Sequence, residues 1–170
     1  RRERVARLAR EARTIARLEH PNILGVHAVH ELADGLAVVM PRVRGATVKQ
    51  LVAAEGAQPV ERAVRLVSDV ARALAVAHRH GVVHRDVKPE NIFVDDATGR
   101  ALLSDFGAAR GAEPDVRVTQ TGATIGTPAY MSPEQIDDAP LDGRSDLYAL
   151  GLVAWELLAG RRPWDGVGLY

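Results

Sequence analysis

Four side chains stand out for chemistry: Asp86, Lys88 and Asn91 within six residues, and Asp105 fourteen positions later. The first three lie in His84-Arg85-Asp86-Val87-Lys88-Pro89-Glu90-Asn91, between a helical pattern ending at Gly81 and a short β-rich run, Ile92-Phe93-Val94. A second short run, Ala101-Leu102-Leu103, leads to Asp105-Phe106-Gly107, with Asp95 to Gly99 as the intervening turn. Hairpin geometry can thus bring Asn91 and Asp105 to one end of a small sheet. Their hard oxygen donors suit Mg²⁺, which takes one or two carboxylates together with substrate phosphates. Asp86 can accept a proton from a hydroxyl, and Lys88 can neutralise charge on a phosphoryl group in transfer. Such a set positions reactants and stabilises charge; it does little covalent chemistry.

These residues need a scaffold, and the periodicity supplies one. Val5, Leu8, Ala12, Ile15 and Leu18 recur at helical steps over residues 3–19, and Pro21 closes that helix. Residues 22–31 and 36–40 read as strands of an antiparallel hairpin around Ala33-Asp34-Gly35. Gly45 precedes a short helix near 47–54. A long helix follows over 60–80, with Val64, Val67, Ala71, Leu74 and Ala75 as its apolar stripe and Gly81 as its C-terminal cap. Val82-Val83 reads as a further short strand. Residues 107–133 show no apolar period, and a run of that length inside a compact domain is functional or disordered. Gly143 to Gly160 reads as a second buried helix.

Composition narrows the class. The 170 residues are 46% hydrophobic and 26% charged, enough for one core, and the formal charge is zero. A neutral chain argues against nucleic-acid binding through a broad basic field. Cysteine is absent, which excludes disulfide scaffolds, cysteine nucleophiles and cysteine-based zinc sites. The apolar run Leu147 to Trp155 is far shorter than the ~20 residues of a membrane span, so no membrane contact is expected within this segment. The expected location is cytoplasmic, with any anchor of the parent protein outside this stretch. The Arg-rich start, seven Arg and three Glu in residues 1–19, reads as a solvated helix face.

At these residues the chain resembles the eukaryotic-type (Hanks-type) serine/threonine protein kinases, in their bacterial branch. H-R-D-x-K-x-x-N over 84–91 and D-F-G over 105–107 occur in the family's order and separation. Gly126-Thr127-Pro128-Ala129-Tyr130-Met131-Ser132-Pro133-Glu134 resembles the end of the activation segment, with Ser132 where Ala is usual. The stretch 142–164 resembles the helix that scaffolds the catalytic loop. The resemblance implies an α+β, protein-kinase-like fold cut at both ends: 1–40 as a small-lobe remnant, 41–46 as the hinge, and 47–170 as a large lobe lacking its last helices. It implies ATP as cofactor with Mg²⁺ (Mn²⁺ as the alternative ion), protein Ser/Thr hydroxyls as substrates, and a kinase dimer for trans-autophosphorylation.

Residue by residue, the resemblance makes Asp86 the catalytic base, Lys88 the phosphate-contacting lysine, and Asn91 and Asp105 the metal ligands. Lys88 with Thr127 matches the serine/threonine-specific branch. Glu11 matches the helix glutamate that pairs with the nucleotide-binding lysine. Met40 matches the gatekeeper, Pro41 and Val43 the adenine-facing hinge, and Phe93 the apolar floor under adenine. Arg85, beside the base, invites a phosphate, and Thr119 and Thr121 sit where bacterial relatives autophosphorylate. His84 and Phe106 are expected to pack, Asp146 to hold the catalytic-loop backbone, and Glu134 to be structural but unpaired. A Gly-rich loop and its lysine do not occur in the sequence, and the only lysines, Lys49 and Lys88, both follow Glu11. Residues 1–170 alone are therefore expected to transfer phosphate weakly or not at all. The rival readings are a non-catalytic pseudokinase and a small-molecule phosphotransferase.

Overall fold

The computed structural model describes residues 18–32, 36–106 and 128–165. The helix expected over 3–19 falls almost wholly outside them, as does the turn 33–35. Strands β1 (Ala28–Glu31) and β2 (Leu36–Val39) form the expected antiparallel hairpin, with Ala28 opposite Val39. Residues 22–27, by contrast, are not a strand. That segment lies along the edge of the next sheet, where Ile23 bridges Leu103 in parallel and Asn22 Nδ2 donates to the Ala101 carbonyl at 2.9 Å.

The second sheet is antiparallel in the order β3–β4–β5, with β3 at Gly45–Thr47, β4 at Ile92–Asp95 and β5 at Ala101–Leu103. Residues 45 and 46 are thus strand residues at the end of the segment read as the hinge. Only glycine fits at 45, because a Cβ there would lie 1.9 Å from the Val94 carbonyl oxygen. Ile92, Val94, Ala101 and Leu103 alternate onto the core face, while Phe93 and Leu102 face the other way and are half-buried.

Helix α1 (Val48–Glu55) starts at a reciprocal cap: Thr47 Oγ1 accepts from Gln50 N–H, and Gln50 Oε1 accepts from Thr47 N–H. Such a cap is worth roughly 1 kcal/mol. Helix α2 (Val60–Arg79) is the spine of the core. Its buried stripe is Ala63, Leu66, Val70, Ala73, Leu74 and Ala77; of the stripe expected, Leu74 belongs to it, Val67 and Ala71 pack partly buried against the core, and Val64, 56% exposed, and Ala75 face solvent. The alanines decide this, since small side chains at 63, 73 and 77 let α2 lie close to its neighbours. Leu66 and Leu74 contribute about 1.5–3 kcal/mol each by burial.

A short turn at Pro128–Tyr130 lies within the stretch that shows no apolar period, and helix α3 (Pro133–Ile136) begins at that stretch's last residue. Helix α4 (Gly143–Ala159) packs along α2, and α2 also packs on β5. Only one side of α4 is buried, a correction to the fully buried helix expected: Leu147, Tyr148 and Trp155 are substantially exposed. No helix among the described residues is long and apolar enough to cross a membrane.

Candidate active site

The chain leaves α2 through a left-handed Gly81 (φ 72°), with Gly81 N–H donating to the His78 carbonyl and Val82 N–H to that of Ala77. This turn uses the amide that a strand at 82–83 would need, and Val82-Val83 is not a strand. The loop that follows places Arg85 at φ 69°. A left-handed non-glycine costs roughly 1–2 kcal/mol and persists only where its surroundings fix it. Here Asp146, 1% exposed on α4, fixes it. Its Oδ1 accepts from Arg85 N–H at 2.7 Å, and its Oδ2 accepts from His84 N–H at 2.8 Å and from His78 Nε2–H at 2.7 Å. Hydrogen bonds to a charged group contribute about 1.5–3 kcal/mol each, so the two backbone bonds outweigh the strain.

His84 is fully buried and packs edge-on against Phe106, with ring centroids 4.6 Å apart. Its Nε2–H donates to the Ser104 carbonyl at 2.8 Å, and its Nδ1 accepts from Asp86 N–H at 3.2 Å. One ring nitrogen donates and the other accepts, which defines a neutral imidazole. Burial pushes its pKa below the usual histidine value, against the Ser104 carbonyl bond and the nearby carboxylates of Asp146, Asp86 and Asp105. A neutral packed histidine fits the expectation for position 84.

Asp86, Lys88 and Asn91 come together as expected. Lys88 Nζ lies 2.9 Å from Asp86 Oδ1 and 2.7 Å from Oδ2. Asn91 Nδ2 donates to the Asp86 carbonyl at 2.8 Å and to its Oδ2 at 2.9 Å, leaving Oδ1 as the amide's remaining polar atom. The Asn91 carbonyl accepts from Ser104 N–H at 2.9 Å. The Ser104 hydroxyl lies 3.1 Å from that carbonyl and 3.2 Å from Asp105 Oδ2. The hairpin of β4 and β5 thus brings Asn91 and Asp105 to the same end of the sheet. Asp105 is itself left-handed (φ 59°), which Asp tolerates better than most residues, and it is exposed. One amide oxygen and one accessible carboxylate are hard donors that fit a divalent cation whose other positions belong to phosphate and water. Among the described residues no three acidic or histidine side chains cluster closely enough to hold a cation by themselves.

Met40, Pro41 and Val43 lie half-buried in the irregular segment between β2 and β3, and Phe93 stands in register between Thr47 and Leu102. Glu11, Gly107, Thr119, Thr121 and Thr127 lie outside the described residues.

Several contacts around the site have no sequence signal, because they join residues far apart in the chain. Asp69 on α2 accepts from Ala101 N–H at 3.0 Å and aligns the start of β5. The Tyr130 hydroxyl donates to Glu156 on α4. Burial, then that bond, raises the tyrosine well above its ordinary pKa. Glu134 is not unpaired: its Oε1 accepts from Ser145 Oγ at 2.5 Å, one residue from Asp146. Gln135 Nε2 donates to the Arg85 carbonyl at 2.8 Å.

A strained loop is held from a buried helical aspartate, and the β4–β5 hairpin brings the Asp–Lys–Asn set to the same end of the sheet as a second aspartate. The protein kinase domain family matches residues 1–168, and the chain belongs to that family. Its relatives include the serine/threonine-protein kinase PknB of Mycobacterium leprae, 42% identical over 94% of this chain and 26% of its own length. The serine/threonine-protein kinase pkn2 of Myxococcus xanthus is 43% identical over 94% of this chain and 20% of its own length. The chain therefore spans about a quarter or less of these relatives. Among solved structures, the Mycobacterium tuberculosis PknI kinase domain superposes with a TM-score of 0.78 at 36% identity, covering 99% of this chain and 62% of that one.

Proposed function

We propose that the parent protein is a serine/threonine protein kinase that transfers the γ-phosphoryl group of ATP to Ser or Thr hydroxyls of proteins, including its own activation segment. The carrying observation is the continuous chain of contacts Lys88–Asp86–Asn91–Ser104–Asp105. Mg²⁺ (or Mn²⁺), when bound with the nucleotide, neutralises phosphate charge. Asn91 Oδ1 and the Asp105 carboxylate would hold it. Asp86 orients the substrate hydroxyl and takes its proton at the carboxylate. Lys88, now paired with Asp86, swings its ammonium to the transferring phosphate, a small motion for a lysine whose side chain is 28% exposed. Met40, Pro41 and Val43 line the adenine side and Phe93 its floor, while Glu11 would pair with a lysine that this sequence does not contain. Thr127 supports the hydroxyl-accepting geometry beside Lys88. Phosphate on Thr119 or Thr121, delivered by a second copy, would be read by Arg85. The domain is assigned to the cytoplasm.

The test separates proton acceptance from metal binding in the full-length protein. Asp86→Asn abolishes transfer with nucleotide affinity retained, whereas Asp105→Asn weakens nucleotide binding in the presence of Mg²⁺. Equal nucleotide affinity in the two variants contradicts these roles. Intact transfer by Asp86→Asn contradicts the reading as a whole.

A further inference from the structure

From the contacts on both sides of one peptide unit we infer that Gln135 is a positioning residue for Asp86, an inference that rests on the kinase reading above. The Arg85–Asp86 peptide carries the base. Its N–H end is held by His84 Nδ1 at 3.2 Å, and its carbonyl end accepts from Gln135 Nε2 at 2.8 Å. The preceding amide, Arg85 N–H, is held by Asp146 at 2.7 Å. The peptide plane is thus fixed at both ends, in a loop whose left-handed Arg85 would otherwise relax toward φ < 0.

Gln135 is suited to this by having two different ends. Its Oε1 accepts from Ser132 N–H at 3.1 Å, completing the cap of α3, while its Nε2 donates to Arg85. Turning the amide over would set oxygen against the Arg85 carbonyl and nitrogen against the Ser132 amide, so only one orientation satisfies both partners. The neighbouring Glu134 binds Ser145, which adjoins Asp146. Gln135, Arg85, Asp146, Ser145 and Glu134 therefore close a ring that ties the turn 128–136 to the base. A glutamate at 135 would cap α3 equally well, since Ser-x-x-Glu is the ordinary capping box. What glutamate lacks is the donor to Arg85.

That difference makes the test. Gln135→Glu and Gln135→Met are compared with wild type in the full-length protein, measuring kcat, KM for ATP and thermal midpoint. Both variants lose the donor; only the methionine also loses the side-chain acceptor for Ser132 N–H, the reciprocal half of the cap. Both are expected to lower kcat about tenfold, the size of one hydrogen bond whose carbonyl is left unmet. KM for ATP stays within about twofold, and only Gln135→Met lowers the midpoint. Wild-type kcat in Gln135→Glu, or kcat that tracks the midpoint across the series, overturns the inference and leaves Gln135 a helix cap. An Asp86→Asn variant run alongside keeps the two readings apart. If it retains activity, the assignment of the base fails; if it is inactive while Gln135→Glu is fully active, only the role of Gln135 fails.

Discussion

The two sides of α4 follow opposite rules. The inner side buries Ser145, Asp146 and Glu156 among Ala149, Leu150, Val153 and Leu157, and each of the three polar groups has a partner from another part of the chain. The outer side carries Leu147, Tyr148, Trp155 and Leu158, each between 39% and 53% exposed. A buried polar group costs stability unless it is bonded, so three on one helix face signify backbone and side chains being held in place. The outer residues hold nothing among the described residues. The inner face governs the geometry of the site, and the outer face, still about half covered, positions none of it among the described residues.

The sharpest way to break that contrast is Asp146→Ala. It strands the N–H groups of His84 and Arg85 and the ring N–H of His78, and it frees the strained Arg85 backbone. Removing one member of a buried charged network costs about 3–5 kcal/mol, read in denaturant melts, and phosphotransfer should vanish with it. Near-wild-type values would remove Asp146 from the centre of the account. Tyr130→Phe comes next. It leaves the buried Glu156 carboxylate without this donor and should cost about 1–3 kcal/mol in the same assay.

Acid titration sharpens the contrast further. The folded pKa of His84 is held below its ordinary value of 6.5, first by burial, so below that pH the unfolded chain binds a proton that the folded one refuses. His84 therefore supports stability above pH ~6.5, and that contribution is lost as pH falls, at up to about 1.4 kcal/mol per pH unit. His20 shifts the same way, through burial and the charges of Arg72 and Arg79. A His84→Asn variant should flatten the profile; an unchanged slope would argue that the ring is not the titrating group. The smallest effect belongs to Leu147→Ala on the outer face, within about 0.5 kcal/mol of wild type. A cost above 2 kcal/mol would show that face to be engaged.

Which parts of this were legible beforehand follows from the range of each interaction. Asp86, Lys88, Asn91 and Asp105 are joined by one loop and one hairpin, so local spacing sufficed to place them together. Strands β1, β2, β4 and β5 and helices α1, α2 and α4 were readable from period and turn residues. On α2, Leu74 is legible from period, but Ala63 is not, because valine at 64 outweighs alanine at 63 in any hydrophobic count, whereas close packing favours the alanine. Val82-Val83 misled because β-branched propensity is local while the helix-ending turn takes the Val82 amide. Gln135–Arg85, Tyr130–Glu156 and Asp69–Ala101 span 50, 26 and 32 residues, and nothing in local composition marks them.

The central claim is that Asp86 takes a hydroxyl proton during phosphoryl transfer. Phosphopeptide mass spectrometry of the full-length protein after incubation with ATP and Mg²⁺, beside its Asp86→Asn variant, tests it most directly. Phosphate on Thr119 or Thr121 in the wild type and none in the variant is the predicted result. Equal phosphate in both, or none in a wild type that still binds nucleotide, would contradict it.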